Sequence, residues 1–203
     1  MKTSILLLMA TLAIMMVGCS DDSALPVSPA DQATQGVAPL AKSITRVFTA
    51  TEGPDLSNPL DYIIDPGFSP PNNKNKMIVR GMVVRNLVNA TFDDGGTDLL
   101  TGKGVLEMNF TYDNSANEGV CWGKLTLDPD APEAVDGVWE ITWNGKITLG
   151  ASGFVCPMKW VGHGRGGAID GMQFFSDDQV MTITSMPFEW TGLGTGFVKS
   201  HRI

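Results

Sequence analysis

The chain has 203 residues, is 43% hydrophobic and carries a formal net charge of -8, with 22 acidic against 14 basic residues. That length suits one domain and a leader. An acidic surface repels phosphate backbones, which argues against nucleic acid as a partner, and it offers no polybasic patch to anionic lipid.

The first element is an export signal over 1–18. Met1-Lys2 supplies one positive charge and an apolar run follows from Ile5 to Val17. That run is shorter than the about 20 residues that span a bilayer and has the proportions of a signal-peptide apolar region. It ends Met16-Val17-Gly18-Cys19. Small residues before a cysteine at this point resemble the bacterial lipobox, in which a peptidase cuts before the cysteine and the thiol takes a diacylglycerol. Met16 stands where that motif usually has leucine. The resemblance implies a mature protein that begins at a lipidated Cys19 and is held to the membrane by its acyl chains. Loss of Lys2 leaves 13 basic and 22 acidic residues, a net charge near -9. Ser20 follows the cysteine in place of the aspartate that marks inner-membrane retention in the enterobacterial pattern, which points to the outer membrane.

Residues 19–44 hold the lipidation site and a linker. Ser20-Asp21-Asp22-Ser23-Ala24-Leu25-Pro26 opens it, and Gln32, Thr34, Gln35 and Pro39 continue it without periodicity. Such a composition cannot bury a core and predicts a disordered tether. The remaining 45–203 make one domain.

Period-two alternation dominates that domain. Trp139, Ile141, Trp143, Gly145, Ile147 and Leu149 share one face; Val138, Glu140, Thr142, Asn144, Lys146 and Thr148 share the other. Leu106, Met108, Phe110 and Tyr112 alternate in the same way with Val105, Glu107, Asn109 and Thr111. In chain order the predicted strands are 45–51, 77–84, 86–92, 105–112, 119–127, 138–149, 153–163, 168–175, 179–186 and 188–198. Asp93-Asp94-Gly95-Gly96, Asp113-Asn114-Ser115 and Asp128-Pro129-Asp130 interrupt them with turn chemistry, and a Pro- and Asn-rich break runs from Asp65 to Lys76. No amphipathic helix stands out. Glycines inside strand patterns favour a single closed antiparallel barrel of about eight strands over a sandwich, because a small barrel needs sharply coiled positions.

Trp143-Asn144-Gly145, Trp160-Val161-Gly162 and Trp190-Thr191-Gly192 repeat a Trp-x-Gly step, with Cys121-Trp122-Gly123 a looser relative. Residues i and i+2 share a strand face, so each ring is expected to fill the space over its own glycine as core packing. The run Gly137-Val138-Trp139-Glu140-Ile141-Thr142-Trp143-Asn144-Gly145, followed by Val161-Gly162-His163-Gly164-Arg165-Gly166-Gly167 and Ile169-Asp170-Gly171-Met172, resembles the glycine and tryptophan rhythm of small bacterial barrels similar to allene oxide cyclase. The resemblance covers about 100–196 and implies an eight-stranded calycin-type barrel. The plant cyclase's catalytic residues have no matching positions here, so its activity is not carried over.

Cys121 shares a face with Leu125 and Leu127, and Cys156 with Phe154, Met158 and Trp160. Both are expected to point inward, either as a disulfide of an oxidising compartment or as two separate thiols. Without paired histidines they do not make a zinc site, and neither a metal nor a cofactor is expected. Gly162-x-Gly164-x-x-Gly167 matches a dinucleotide motif by letter, but a strand rather than a phosphate-binding helix is expected after it.

His163 alternates with Lys159 and Arg165 on the polar side, and Asp170 lies across a tight turn. His163, Arg165 and Asp170 form the speculative polar or ligand site, with His163 and Asp170 either an acid–base couple or a solvated histidine and a turn aspartate. His201 lies near the end of the chain. Glu107 and Glu140 are expected to face water, and Asp128, Asp130, Glu133 and Asp136 to form a solvated loop without calcium-loop spacing.

These features predict a lipid-anchored envelope barrel with a non-enzymatic binding or structural role. The alternative is an isomerase- or cyclase-like enzyme acting on an apolar small molecule in the lumen, which requires an open cavity of several hundred Å³. A porin fits poorly with outward charges such as Glu140 and Lys146. Oligomeric state is not derivable from these patterns.

Overall fold

The computed structural model describes residues 43–96, 99–129, 136–185 and 189–201. The export signal over 1–18, Cys19 and the linker up to residue 42 lie outside the described residues, as do Asp130 and Glu133 of the acidic loop.

Eight strands form one closed meander barrel: β1 Ser43–Pro54, β2 Lys76–Phe92, β3 Gly102–Asp113, β4 Glu118–Pro129, β5 Val138–Gly150, β6 Gly153–Arg165, β7 Gln173–Ser185 and β8 Glu189–His201. Each pairs antiparallel with the next, and β8 returns to β1 from Ser43↔His201 to Glu52↔Gly192. Closure leaves no free sheet edge. Residues 43 and 44, expected in the linker, already belong to β1.

Ten predicted strands become eight because β2 runs regularly through the predicted break at 85 and the predicted break at 176–178 is a bulge in β7; β2 carries a bulge of its own inside the predicted strand 77–84. In β2, Val79 and Met82 both point inward with Arg80 and Gly81 between them, and the β2–β3 register shifts there. Gly81 adopts φ +62°, a conformation that costs glycine little, and its N–H donates to Asn109 Oδ1 at 2.9 Å. In β7, Ser176 and Gln179 both point inward, with exposed Asp177 and Asp178 between them. Thr195 N–H and Thr195 Oγ1 donate to the Asp178 carboxylate at 2.8 and 2.7 Å. An extra residue inverts the side-chain phase of everything after it. A strict period of two therefore reads the β7 bulge as a strand end, and it runs the predicted strand 77–84 across the β2 bulge without marking it. The predicted strand 168–175 starts late for a different reason: Gly167–Ile169 is a single 3-10 turn, and β7 begins at Gln173.

The inward faces fill the barrel. Trp139, Trp143, Trp160 and Trp190 are all buried, together with Phe48, Phe92, Tyr112 and Phe174. Trp143 and Trp160 stack at 5.8 Å, and Trp139 Nε1 donates to the Leu99 carbonyl at 2.8 Å. Leu99, Leu100 and Ile169, from the β2–β3 and β6–β7 connections, are buried over the end of the barrel where β1 begins. What remains open inside is a cavity of about 30 Å³.

Cys121 of β4 and Cys156 of β6 both face inward, their sulfurs within bonding distance across β5. Their Cα atoms are 7.7 Å apart, wider than most pairs because a whole strand lies between them. Linking residues 35 apart in sequence stabilises a fold by about 3–4 kcal/mol in the chain-entropy account.

Candidate functional site

The lumen holds one polar cluster. Glu52 of β1 continues the inward phase of Phe48 and Ala50, and it is 7% exposed. Asn86 of β2 is fully buried and Gln179 of β7 is 7% exposed. Asn86 Nδ2 donates to Glu52 Oε2 at 3.2 Å, and Gln179 Nε2 donates to Glu52 Oε1 at 3.1 Å. One carboxyl thus links three strands through the interior, and each bulge sets the phase that turns an amide toward it. Asn86 Oδ1 has no hydrogen-bond partner among the described residues.

Glycines of adjacent strands make room for these groups. Gly192 lies opposite Glu52 and Gly104 opposite Asn86, and Gly194 lies beside Gln179. A Cβ on any of the three would collide with the polar side chain it faces. The same device serves large apolar side chains. Trp143 lies over Gly123, Ile141 over Gly162 and Phe48 over Gly196, each pair directly opposite across two strands. The Trp-x-Gly rhythm therefore packs between strands, where opposite Cβ positions are about 5 Å apart, and not over the glycine two residues along, as the repeat suggests. Trp122 of the looser relative points outward, 37% exposed.

Burial pushes the Glu52 carboxyl up to about 7, against the smaller opposing effects of the Gln179 and Asn86 amides. Desolvation disfavours the carboxylate and two donors only partly restore it. A carboxyl poised there has the proton affinity that general acid–base chemistry needs. The cavity beside it is walled by Phe48, Leu125, Ile141, Trp160 and Phe174. Its about 30 Å³ holds water-sized molecules and falls far below the several hundred Å³ of an organic ligand site. No group of three potential metal-ligating side chains occurs among the described residues.

His163, Arg165 and Asp170 all lie exposed on the outside. Arg165 Nε pairs with Glu140 Oε2 at 3.0 Å, and Asp170 Oδ1 accepts the Gly166 N–H at 3.0 Å across its turn. No hydrogen bond joins His163 to Asp170 among the described residues, and His163 lies instead beside Glu140 in the β5–β6 register. Gly167 opens a 3-10 turn and no α-helix follows, so the dinucleotide match lacks the helix terminus that would hold phosphate. Glu52, Asn86 and Gln179 escaped the sequence reading. Glu52 lies one step beyond the predicted strand 45–51, and the other two open segments displaced by bulges. The available signal was the inward alternation 48, 50, 52.

The fold defines a small closed eight-stranded antiparallel meander barrel with a filled interior. Comparison with protein-family models, with curated proteins and with solved structures gave no match.

Proposed function

We propose that this chain is a lipid-anchored protein of the bacterial envelope, held through Cys19 at the outer membrane, whose barrel is a rigid non-enzymatic binding or structural module. The filled lumen carries this reading: with four tryptophans inside and about 30 Å³ left open, recognition falls to the outer wall and loops. The signal-like residues 1–18 and the Met16-Val17-Gly18-Cys19 junction support the anchor. The glycine and tryptophan rhythm supports kinship with calycin-type barrels similar to allene oxide cyclase. The anchor is tested by intact-mass measurement of the protein from bacterial membranes. Acyl groups on Cys19, lost in Cys19→Ala, are expected, and an unmodified cysteine would overturn the anchor.

A second reading rests on Glu52. A carboxyl held near neutrality in an apolar interior suits proton transfer to an apolar substrate, the task of a lumenal isomerase or cyclase. It requires the lumen to open. Turnover of an apolar unsaturated substrate by the purified protein, abolished by Glu52→Gln with the fold intact, would establish it over the first.

A further inference from the structure

The outer wall made by β6, β7, β8 and β1 carries one row of side chains unlike the rest of an acidic chain. Val47, Phe197, Phe175 and Val161 are consecutive partners in the register across the four strands. Val47 is 49% exposed, Phe197 38% and Val161 43%, and Phe175 stacks on Phe197 at 5.0 Å. The row is about 15 Å wide at the usual strand spacing. Nearer the middle of the strands, Thr51, Leu193, Val180 and Pro157 form a second uncharged row, with Leu193 58% exposed. Between the rows, Asp177 and Asp178 lie beside Lys159, and both carboxylate oxygens of Asp178 accept hydrogen bonds from Thr195. On the other side of the aromatic row, toward the start of β1, come Thr45, Lys199, Gln173 and His163. That flank holds Lys199 and His163; Glu140, paired with Arg165, bounds it at β5, and at the other side exposed Asp93 donates its N–H to the Val47 carbonyl while Asp94 pairs with Arg46.

We infer that this wall docks on the lipid surface that carries the anchor; the inference rests on the lipid-anchored reading. The chain toward Cys19 leaves the barrel at Ser43, on β1 itself and four residues from Val47. The intervening stretch is 23 residues, 20–42, and a chain of that length spans about 27 Å on average when unstructured. Tethering at that range gives millimolar effective concentration, so weak surface affinity suffices. Exposed apolar side chains with basic groups at the flank match the boundary between acyl chains and headgroups. On the other side, exposed Leu60, Ile63 and Phe68 lie on the segment that crosses the outside of β2, but Asp61 and Asp65, bonded to Arg85 and to the Arg80 N–H, are set among them.

The test uses the chain from Ser20 to Ile203, which holds the whole closed barrel and lacks Cys19, so no acyl group can carry it to lipid. It is floated with vesicles of phosphatidylethanolamine and phosphatidylglycerol at millimolar lipid. The chain is expected to float, and Val47→Asp with Leu193→Asp to lower the bound fraction about tenfold. Val120→Asp on β4, at a position 51% exposed, is expected to leave it within twofold. Melting curves check that each variant folds, and Phe197→Asp replaces any that does not. Failure of the unaltered chain to float, or an equal loss from Val120→Asp, overturns the proposal. So does a dimer dispersed by the same substitutions without vesicle binding, which would assign the wall to a second copy. The mass of Cys19 in the membrane-derived protein separates the two readings. A missing acyl group removes the anchor and leaves the flotation result standing; an acylated protein whose barrel ignores vesicles removes only the docking.

Discussion

The two halves of the barrel wall differ in where they place polar groups. Strands β2–β5 turn Lys103, Glu107, Lys124, Glu140 and Lys146 toward solvent and pack Leu106, Leu125, Trp139 and Trp143 inside. Strands β6–β8 with β1 turn Val161, Val180, Leu193, Phe197 and Val47 outward, and bring Glu52, Ser176 and Gln179 into the interior among their rings. The first half keeps closer to the ordinary pattern of a sheet with one wet face, yet it buries Asn86 and leaves Val105, Val120 and Leu149 exposed among those charges. The second sets a carboxyl inside and two uncharged rows outside, and both cost free energy in water.

Substitutions can test this contrast. The largest effect is expected in the ordinary half: Trp139→Ala removes a fully buried ring and its bond to Leu99, at about 4 kcal/mol by chemical denaturation. A loss under about 1 kcal/mol would mean the interior is not packed as described. Next, Cys121→Ser with Cys156→Ser is expected to cost about 3 kcal/mol, and to leave the wild-type protein sensitive to reductant while the double variant is not.

The polar half should respond to pH. Glu52 has a folded affinity near 7 against an ordinary value of 4.5. Between those values the folded chain keeps a proton that the unfolded chain releases. Stability from this group is therefore complete below about 4.5 and is lost as pH rises through about 7. The full swing is about 3 kcal/mol, and Glu52→Gln is expected to abolish it, making the variant the more stable protein at alkaline pH. Denaturation midpoints of both proteins across that range decide the matter, and parallel curves would place Glu52 in water.

Two smaller effects sharpen the comparison. Asp178→Ala removes the acceptor of the Thr195 N–H at the β7 bulge. About 1 kcal/mol is expected to be lost, with faster hydrogen exchange at Thr195. Where the halves meet at β5 and β6, Arg165→Ala breaks an exposed pair with Glu140 and is expected to change stability by less than about 0.5 kcal/mol.

Alternation alone made the closed all-β barrel legible, since the 138–149 and 105–112 patterns correspond to β5 and β3 and their large residues face inward, except Leu149 near the end of β5, which is exposed. It also put Cys121 and Cys156 on inward faces. It could not see through bulges, because a period of two carries no marker for an inserted residue. The segment 168–186 thus divides at 176–178, and the bulge at Arg80 and Gly81 goes unmarked inside the predicted strand 77–84. The polar cluster was illegible for the same reason: Glu52, Asn86 and Gln179 are ordinary polar letters until two phase shifts and a barrel closure bring them together.

Sequence by itself determined the class of fold and the side of each regular strand that is buried, because those depend on local periodicity and composition. Only the tertiary structure decided which strand lies beside which, and hence that rings and carboxyl alike sit over a neighbour's glycine. It also decided that the interior is closed and that the uncharged residues of four strands gather into one wall. Those outcomes depend on register between segments far apart in the chain, and no local pattern encodes them.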